Sequence, residues 1–324
     1  MSHLPIRFLL DVPLPDGQLG FTSLLDINDE GQIAGAFTNS NSGPYGFLLD
    51  FNKKKVRSTK IRCRDRDVVS TAPQSINSLG EIAGFASVVV ERVKIPEQRR
   101  KVPITQIKGF FRDRRGKCTI LDFPGANLTE ALGVNDGGQV VGDYRDANTG
   151  SFHGFLWDAG QFMTIDVPFT GGHSTSPSGI NNVGQIVGFY DDNNGRHGFL
   201  YSDGTFTSFD FPEAVVTLPF DINDNGQILG IFATDAGSGS FVLAEDTFRT
   251  FDVPFPGVVL TQVSGINNEG QIVGRYAVSN SNDPVNPFLS HGFVASPNVN
   301  SPLVASLTEG QSLDPKKPTL FLSP

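Results

Sequence analysis

The residues that could do chemistry in this chain are three carboxylates, Asp26, Glu130 and Asp221, with two amides, Gln74 and Gln262, in comparable settings. Each stands shortly before an apolar-Asn pair that recurs along the sequence, at a place where the copies do not repeat faithfully. Carboxylates brought together on one axis can bind a cation or act as general acid and base. Aspartates at strand ends also accept hydrogen bonds locally, so Asp26 and Asp221 have a structural reading beside the catalytic one. The chain contains no Gly-x-Ser-x-Gly elbow, phosphate loop, HExxH pair or dinucleotide fingerprint.

A second set of reactive groups is distributed rather than clustered. His153, His197 and His291 each precede a Gly-Phe pair, which puts them at the same point of separate repeats and assigns them to hydrogen bonds at a strand start. Asp191-Asp192-Asn193-Asn194-Gly195 resembles a calcium loop in composition but lacks the bidentate Glu at EF-hand spacing, so an Asx-rich turn is expected. Cys63 and Cys118 form no CxxC or Cys/His pattern. Free thiols are the default expectation, with no metal or other cofactor, although spacing alone leaves a disulfide open. Asn127-Leu128-Thr129 is a glycosylation sequon.

Charge placement is the strongest signal of function. Residues 53–117 hold 18 of the 25 Lys and Arg but only 6 of the 34 Asp and Glu, in a chain of net charge −9. Such an electropositive sector suits an anionic ligand or an acidic protein surface, another copy of the chain included. Its candidate binding residues are Arg92, Lys94, Arg99, Arg100 and Lys101, and Lys108, Arg112, Arg114, Arg115 and Lys117 follow them. Nucleic acid is disfavoured, because the Ser87–Lys108 insertion supplies no aromatic residue before Phe110 to interleave its cations and the acidic remainder repels a long polyanion. No apolar run approaches the roughly 20 residues that span a bilayer.

The elements that must position these groups are read from one motif, Ile180-Asn181-Asn182-Val183-Gly184-Gln185-Ile186-Val187-Gly188-Phe189-Tyr190. Near-copies begin at Ile27, Ile76, Val134, Ile222 and Ile266. Asn at the first and Gly at the fourth position of a tight turn predict a type I turn closing a hairpin, with Gly in the left-handed conformation. Gly188 inside the following strand predicts a bulge or a close backbone approach. A third strand carries Gly-Phe, as in His197-Gly198-Phe199, and a fourth ends in Asp-x-Pro, as at Asp210. Successive Asn residues are 49, 58, 46, 42 and 44 apart, near the size of a four-stranded propeller blade. An extra Asp-x-Pro at Asp11 precedes the first motif, and the last unit lacks its fourth strand. The expected fold is therefore an all-β, six-bladed β-propeller of four-stranded blades, closed by residues 6–13 completing the last blade, since a closed array leaves no unpaired edge. Residues 1–296 form this domain and 297–324 a Pro/Ser-rich tail read as disordered. Ser87 to Lys108 and Ala277 to Ser290 are insertions between the second and third strands of their units, expected as loops rising from one face.

The motif, followed by His-Gly-Phe-Leu-Tyr and by Phe-x-x-x-Asp-x-Pro, resembles the repeat of the HAF family of bacterial extracellular repeat proteins, over residues 6 to 296. The resemblance implies a propeller-like repeat architecture and an extracellular location, and it brings no catalytic residues. Met1 to Asp16 lacks the basic and apolar segments of a signal peptide, so the sequence by itself points to the cytoplasm. The expected function is a non-catalytic ligand- or protein-binding propeller using the basic sector with Gln74 and Gln262. The alternative is a hydrolase, lactonase-like or cyclase-like enzyme at the mouth of the central channel, using Asp26, Glu130 or Asp221.

Overall fold

The structure, a computed structural model, describes residues 6–10, 21–38, 45–50, 58–63, 67–94, 101–279 and 288–296. Arg99 and Arg100, residues 11–13 of the expected closing strand and the tail at 297–324 lie outside these. Among the described residues the chain is all-β, without a helix.

The strands fall into antiparallel meanders of four. After β1 (Ile6–Leu10), the first comprises β2 (Phe21–Ile27), β3 (Gln32–Thr38), β4 (Tyr45–Asp50) and β5 (Ser58–Lys60). The second comprises β6 (Val68–Ile76), β7 (Ile82–Val93), β8 (Val102–Arg112) and β9 (Cys118–Leu121). The third is β10 (Ala126–Val134), β11 (Val140–Asp146), β12 (Phe152–Asp158) and β13 (Gln161–Ile165). The fourth is β14 (Ser174–Ile180), β15 (Ile186–Asp191), β16 (Arg196–Ser202) and β17 (Thr205–Phe209). The fifth is β18 (Val216–Ile222), β19 (Ile228–Thr234), β20 (Gly237–Ala244) and β21 (Thr247–Phe251), tied to the fourth by one parallel bridge between Arg196 and Val216. The last sheet is β22 (Val258–Ile266), β23 (Ile272–Ser279) and β24 (Phe288–Ala295), and β1 pairs antiparallel with β24 as its fourth strand.

Local chemistry explains each repeated residue. Gly184 N–H donates to Asn181 O at 3.2 Å and Asn181 N–H to Gln185 O at 3.1 Å, closing the turn, and Gly184 has φ 83°. Gly188 lies directly across the ladder from Phe199, and Gly35, Gly84, Gly142, Gly230 and Gly274 face the corresponding phenylalanines. A Cβ at Gly188 would strike both the Phe199 ring and the Ser176 carbonyl, so the Gly–Phe pair is a single packing unit. These phenylalanines are buried between neighbouring sheets, where their rings anchor the core clusters.

A recurring threonine, absent from the motif, fastens one meander to the next. Thr129, Thr175, Thr217 and Thr261 accept the backbone N–H of Phe123, Val167, Phe211 and Val253, the residue between Asp and Pro, at 3.1–3.2 Å. The Asp of that tripeptide takes the histidine: His153 and His197 each hold Nδ1 at 2.8 Å from Asp166 and Asp210, with the rings against Tyr144 and Tyr190. In the second meander the buried Lys108 Nζ reaches Asp122 at 2.6 Å instead. Asp192 caps the amides of Asn194 and Gly195, which is the Asx turn expected there.

Two expectations change. Cys63 and Cys118 are not free thiols; they form a disulfide, with Cα atoms 5.4 Å apart, joining the exit of the first meander to the outer strand of the second. A sequence separation of 55 residues carries no information about such a contact. The described part of the Ser87–Lys108 insertion is no loop but a continuation of the ladder, pairing Val88 with Gln106 and Val93 with Val102.

Candidate functional site

The turns between the first two strands of each meander meet around one axis, because their asparagines bond head to tail. Asn28 Nδ2 donates to Asn77 O at 2.8 Å, Asn77 to Asn135 at 2.9 Å, Asn135 to Asn181 at 3.2 Å and Asn181 to Asn223 at 3.1 Å. Asn223 then donates to Asn267 O at 2.9 Å, and Asn267 returns to Asn28 O at 3.1 Å across 239 residues, so the circuit closes. Each amide also donates to the Gln or Glu side chain of its own turn. Each Oδ1 accepts that residue's N–H. The side chains are fully used, and their recurrence is explained without a ligand.

The next residue in each turn makes a second polar ring, in which three carboxylates alternate with neutral groups: Asp29, Ser78, Asp136, Asn182, Asp224, Asn268. Asn268 Nδ2 reaches both Asp29 and Asp224 at 2.8 Å, and Asn182 Nδ2 reaches Asp136 at 3.2 Å and Asp224 at 2.9 Å, so amides separate the like charges. Asp26 and Asp221 line the same cavity, about 60 Å³, which has room for a few waters and not for an organic substrate. Asp26 accepts Ile27 N–H and, from the next meander, Ile76 N–H, both at 2.7 Å. Asp221 likewise accepts Ile222 and Ile266 N–H at 2.9 Å. Burial pushes Asp26 up to about 7 against these hydrogen bonds. It pushes Asp221 well above the usual carboxylate range, with the charge of Asp26 adding to the effect.

Two of the three carboxylates singled out in the sequence are thus brought together, and both clasp adjacent sheets. Glu130 is set apart. It sits on β10 across from Asp143 on β11, a residue the motif reading passed over. Asp143 is 6% exposed, accepts Ser176 Oγ–H at 2.5 Å through Oδ2, and has no partner for Oδ1 among the described residues. Burial pushes its carboxyl up to about 7, and the neighbouring Glu130 charge contributes. Burial raises Glu130 as well. The signal was present in the Gly-x-Tyr segment, where the other copies carry Ala36, Phe85, Phe189, Ile231 and Arg275. Gln262 accepts Arg275 Nε–H at 2.6 Å, and Gln74 Nε2 donates to Pro73 O at 2.9 Å.

The basic sector is divided by the strand that carries it. β7 and β8 are 12 and 11 residues long, against 6 and 7 for β15 and β16, so the hairpin projects as an arm. Near its tip Arg92 pairs with Asp67 at 2.8 Å, while the exposed Lys94 and Lys101 form no ion pair among the described residues. Val90, Val93 and Ile104 are 47%, 38% and 45% exposed on the same arm. Arg114, Arg115 and Lys117 lie in the turn at the other end of β8, about 35 Å away for a strand of this length.

An all-β chain of repeated four-stranded meanders with inner turns meeting on an axis has clear parallels. Its structural neighbours are β-propellers. A TolB-like protein from Agrobacterium tumefaciens aligns with a TM-score of 0.51 at 10% identity, over 71% of this chain and 80% of that one. A catalytically inactive virginiamycin B lyase from Staphylococcus aureus with quinupristin aligns at 0.48 and 12% identity, over 89% and 99%. The β-propeller domain of the Trilobed protease from Pyrococcus furiosus aligns at 0.47 and 9%, over 87% and 100%. At these identities the likeness is one of fold alone. No protein-family model matches the chain, and no curated protein matches its sequence.

Proposed function

We propose that the chain is a six-bladed propeller of the HAF-repeat kind, closed by β1, that serves as a non-catalytic binding module for acidic protein surfaces. The closed asparagine circuit and the β1–β24 pairing support six blades in a ring. The disulfide supports an oxidising compartment, in keeping with the extracellular location of the family it resembles. Against an enzyme at the axis stand the small cavity and the capture of both Asp26 and Asp221 by backbone amides.

The observation that carries the binding reading is the arm. Exposed Val90, Val93 and Ile104 beside Lys94 and Lys101, which form no ion pair among the described residues, combine apolar area with positive charge on one protruding hairpin. An acidic protein surface with an apolar centre matches both, and the chain's own acidic remainder makes a second copy one such surface. The test is sedimentation velocity and capture on immobilised poly-L-glutamate at low and high salt, for the natural chain and a Lys94→Glu/Lys101→Glu variant. Association that weakens as the screening length falls from about 10 Å at 0.1 M to about 3 Å at 1 M, and that the variant loses, supports the reading. Equal behaviour of the two chains removes the arm from it.

A further inference from the structure

A separate cleft lies between the second and third meanders, at the asparagine-turn end and hence at the other end of β8 from the arm tip. Its volume is about 410 Å³, within the range of small-molecule sites. Trp157 on β12 and Phe111 on β8 line it, ring centroids 5.6 Å apart and planes inclined by 42°. Glu81, Arg114, Asp136 and Asp158 complete the polar lining. Two of these lining residues break the repeat: Glu81 stands where the other turns carry Gln, and Trp157 stands where the matching strands carry Leu49, Arg112, Tyr201, Leu243 and Ala295.

The hydrogen-bond inventory defines what the cleft can take. Asp136 spends one oxygen on Ser78 N–H and the other on Asn182 Nδ2. Glu81 spends Oε2 on Asn77, and Asp158 spends Oδ2 on Gln139, so Glu81 Oε1 and Asp158 Oδ1 accept nothing among the described residues. The exposed Arg114 makes no ion pair among them. A cation would satisfy the carboxylates and face Arg114, and an anion would face three carboxylates. Hydroxyl groups donate to carboxylates and accept from a guanidinium, and the C–H face of a sugar ring packs on an aromatic floor. We infer that this cleft is a carbohydrate-binding subsite, with a pyranose ring on Trp157 and its hydroxyls held by Glu81, Asp158 and Arg114.

Trp157 is the one tryptophan of the chain, so its emission reports on the cleft directly. Titration of the full chain with the methyl glycosides of glucose, galactose, mannose, fucose and N-acetylglucosamine should give a saturable change in emission for at least one of them. Arg114→Ala and Asp158→Asn alter exposed side chains. Each should weaken that sugar roughly tenfold, ~1.4 kcal/mol, with the melting temperature unchanged. Calorimetry on Trp157→Phe should show the affinity reduced when the larger aromatic surface is lost. No saturable response to any glycoside overturns the inference. So does an equal response to choline chloride, or an affinity untouched in both polar variants.

Discussion

Replacing Asp143 with asparagine tests how the buried carboxylates are held. Asp143 receives one hydrogen bond, from Ser176, and lies beside Glu130, so little compensates the loss of water around its charge. Its pKa rises from 3.8 to about 7 in the folded chain. Between these values the folded protein keeps a proton that the unfolded chain has released, so the contribution to stability is present in full below pH 4, falls as pH rises, and is lost once pH passes 7. A difference of roughly 3 units at 1.36 kcal/mol each sets an upper limit of about 4 kcal/mol. An amide in place of the carboxyl would keep the shape and the Ser176 hydrogen bond, remove the ionisation, and offer its protons to Glu130. At pH 8 the Asp143→Asn variant should therefore be the more stable, by up to about 4 kcal/mol, which for a chain of this length is about 6 °C in Tm. By pH 4 the difference should nearly close. Asp26 and Asp221 also carry raised pKa values, but both chains contain them and they cancel in the comparison. Thermal melts of the two proteins from pH 4 to 8 decide the matter. A difference independent of pH, or a variant less stable at pH 8, would show that Asp143 is charged and compensated in the folded chain, refuting the reasoning.

Gly188→Ala should cost about 1–3 kcal/mol, read from the denaturant midpoint, because the new methyl meets the Ser176 carbonyl and the Phe199 ring; a neutral result would mean that the Gly–Phe unit tolerates a shift. Opening the Cys63–Cys118 bridge with reductant, or by a double Cys→Ser substitution, should lower stability by about 4 kcal/mol for a loop of 55 residues, and thiol titration of the denatured, unreduced chain should find no free thiol.

Where residues act on near neighbours in the chain, the sequence was a sufficient guide. The Asn-x-x-Gly turn, the Gly-Phe strand and the alternation of strands and turns follow from backbone preferences within a few residues, and the meanders appear where the motif puts them. The pairing of β1 with β24 was also legible, because a fragment missing from the last unit was found at the start of the chain. What escaped were the contacts between units. The asparagine side chain reaches its counterpart 42 to 58 residues on, so its turn role was visible and its place in a closed circuit was not. Asp143 was visible as an odd residue in Gly-x-Tyr, yet its buried setting depends on Ser176 in the next sheet. The basic sector read as one patch because its residues are close in sequence, and an 11-residue strand separates its two ends. A repeat thus hides its exceptions within a uniform pattern: the residues that recur are consumed by turns, clasps and packing. Recognition, as proposed for the lengthened hairpin and for the Glu81–Trp157 cleft, falls to positions where a unit departs from the others.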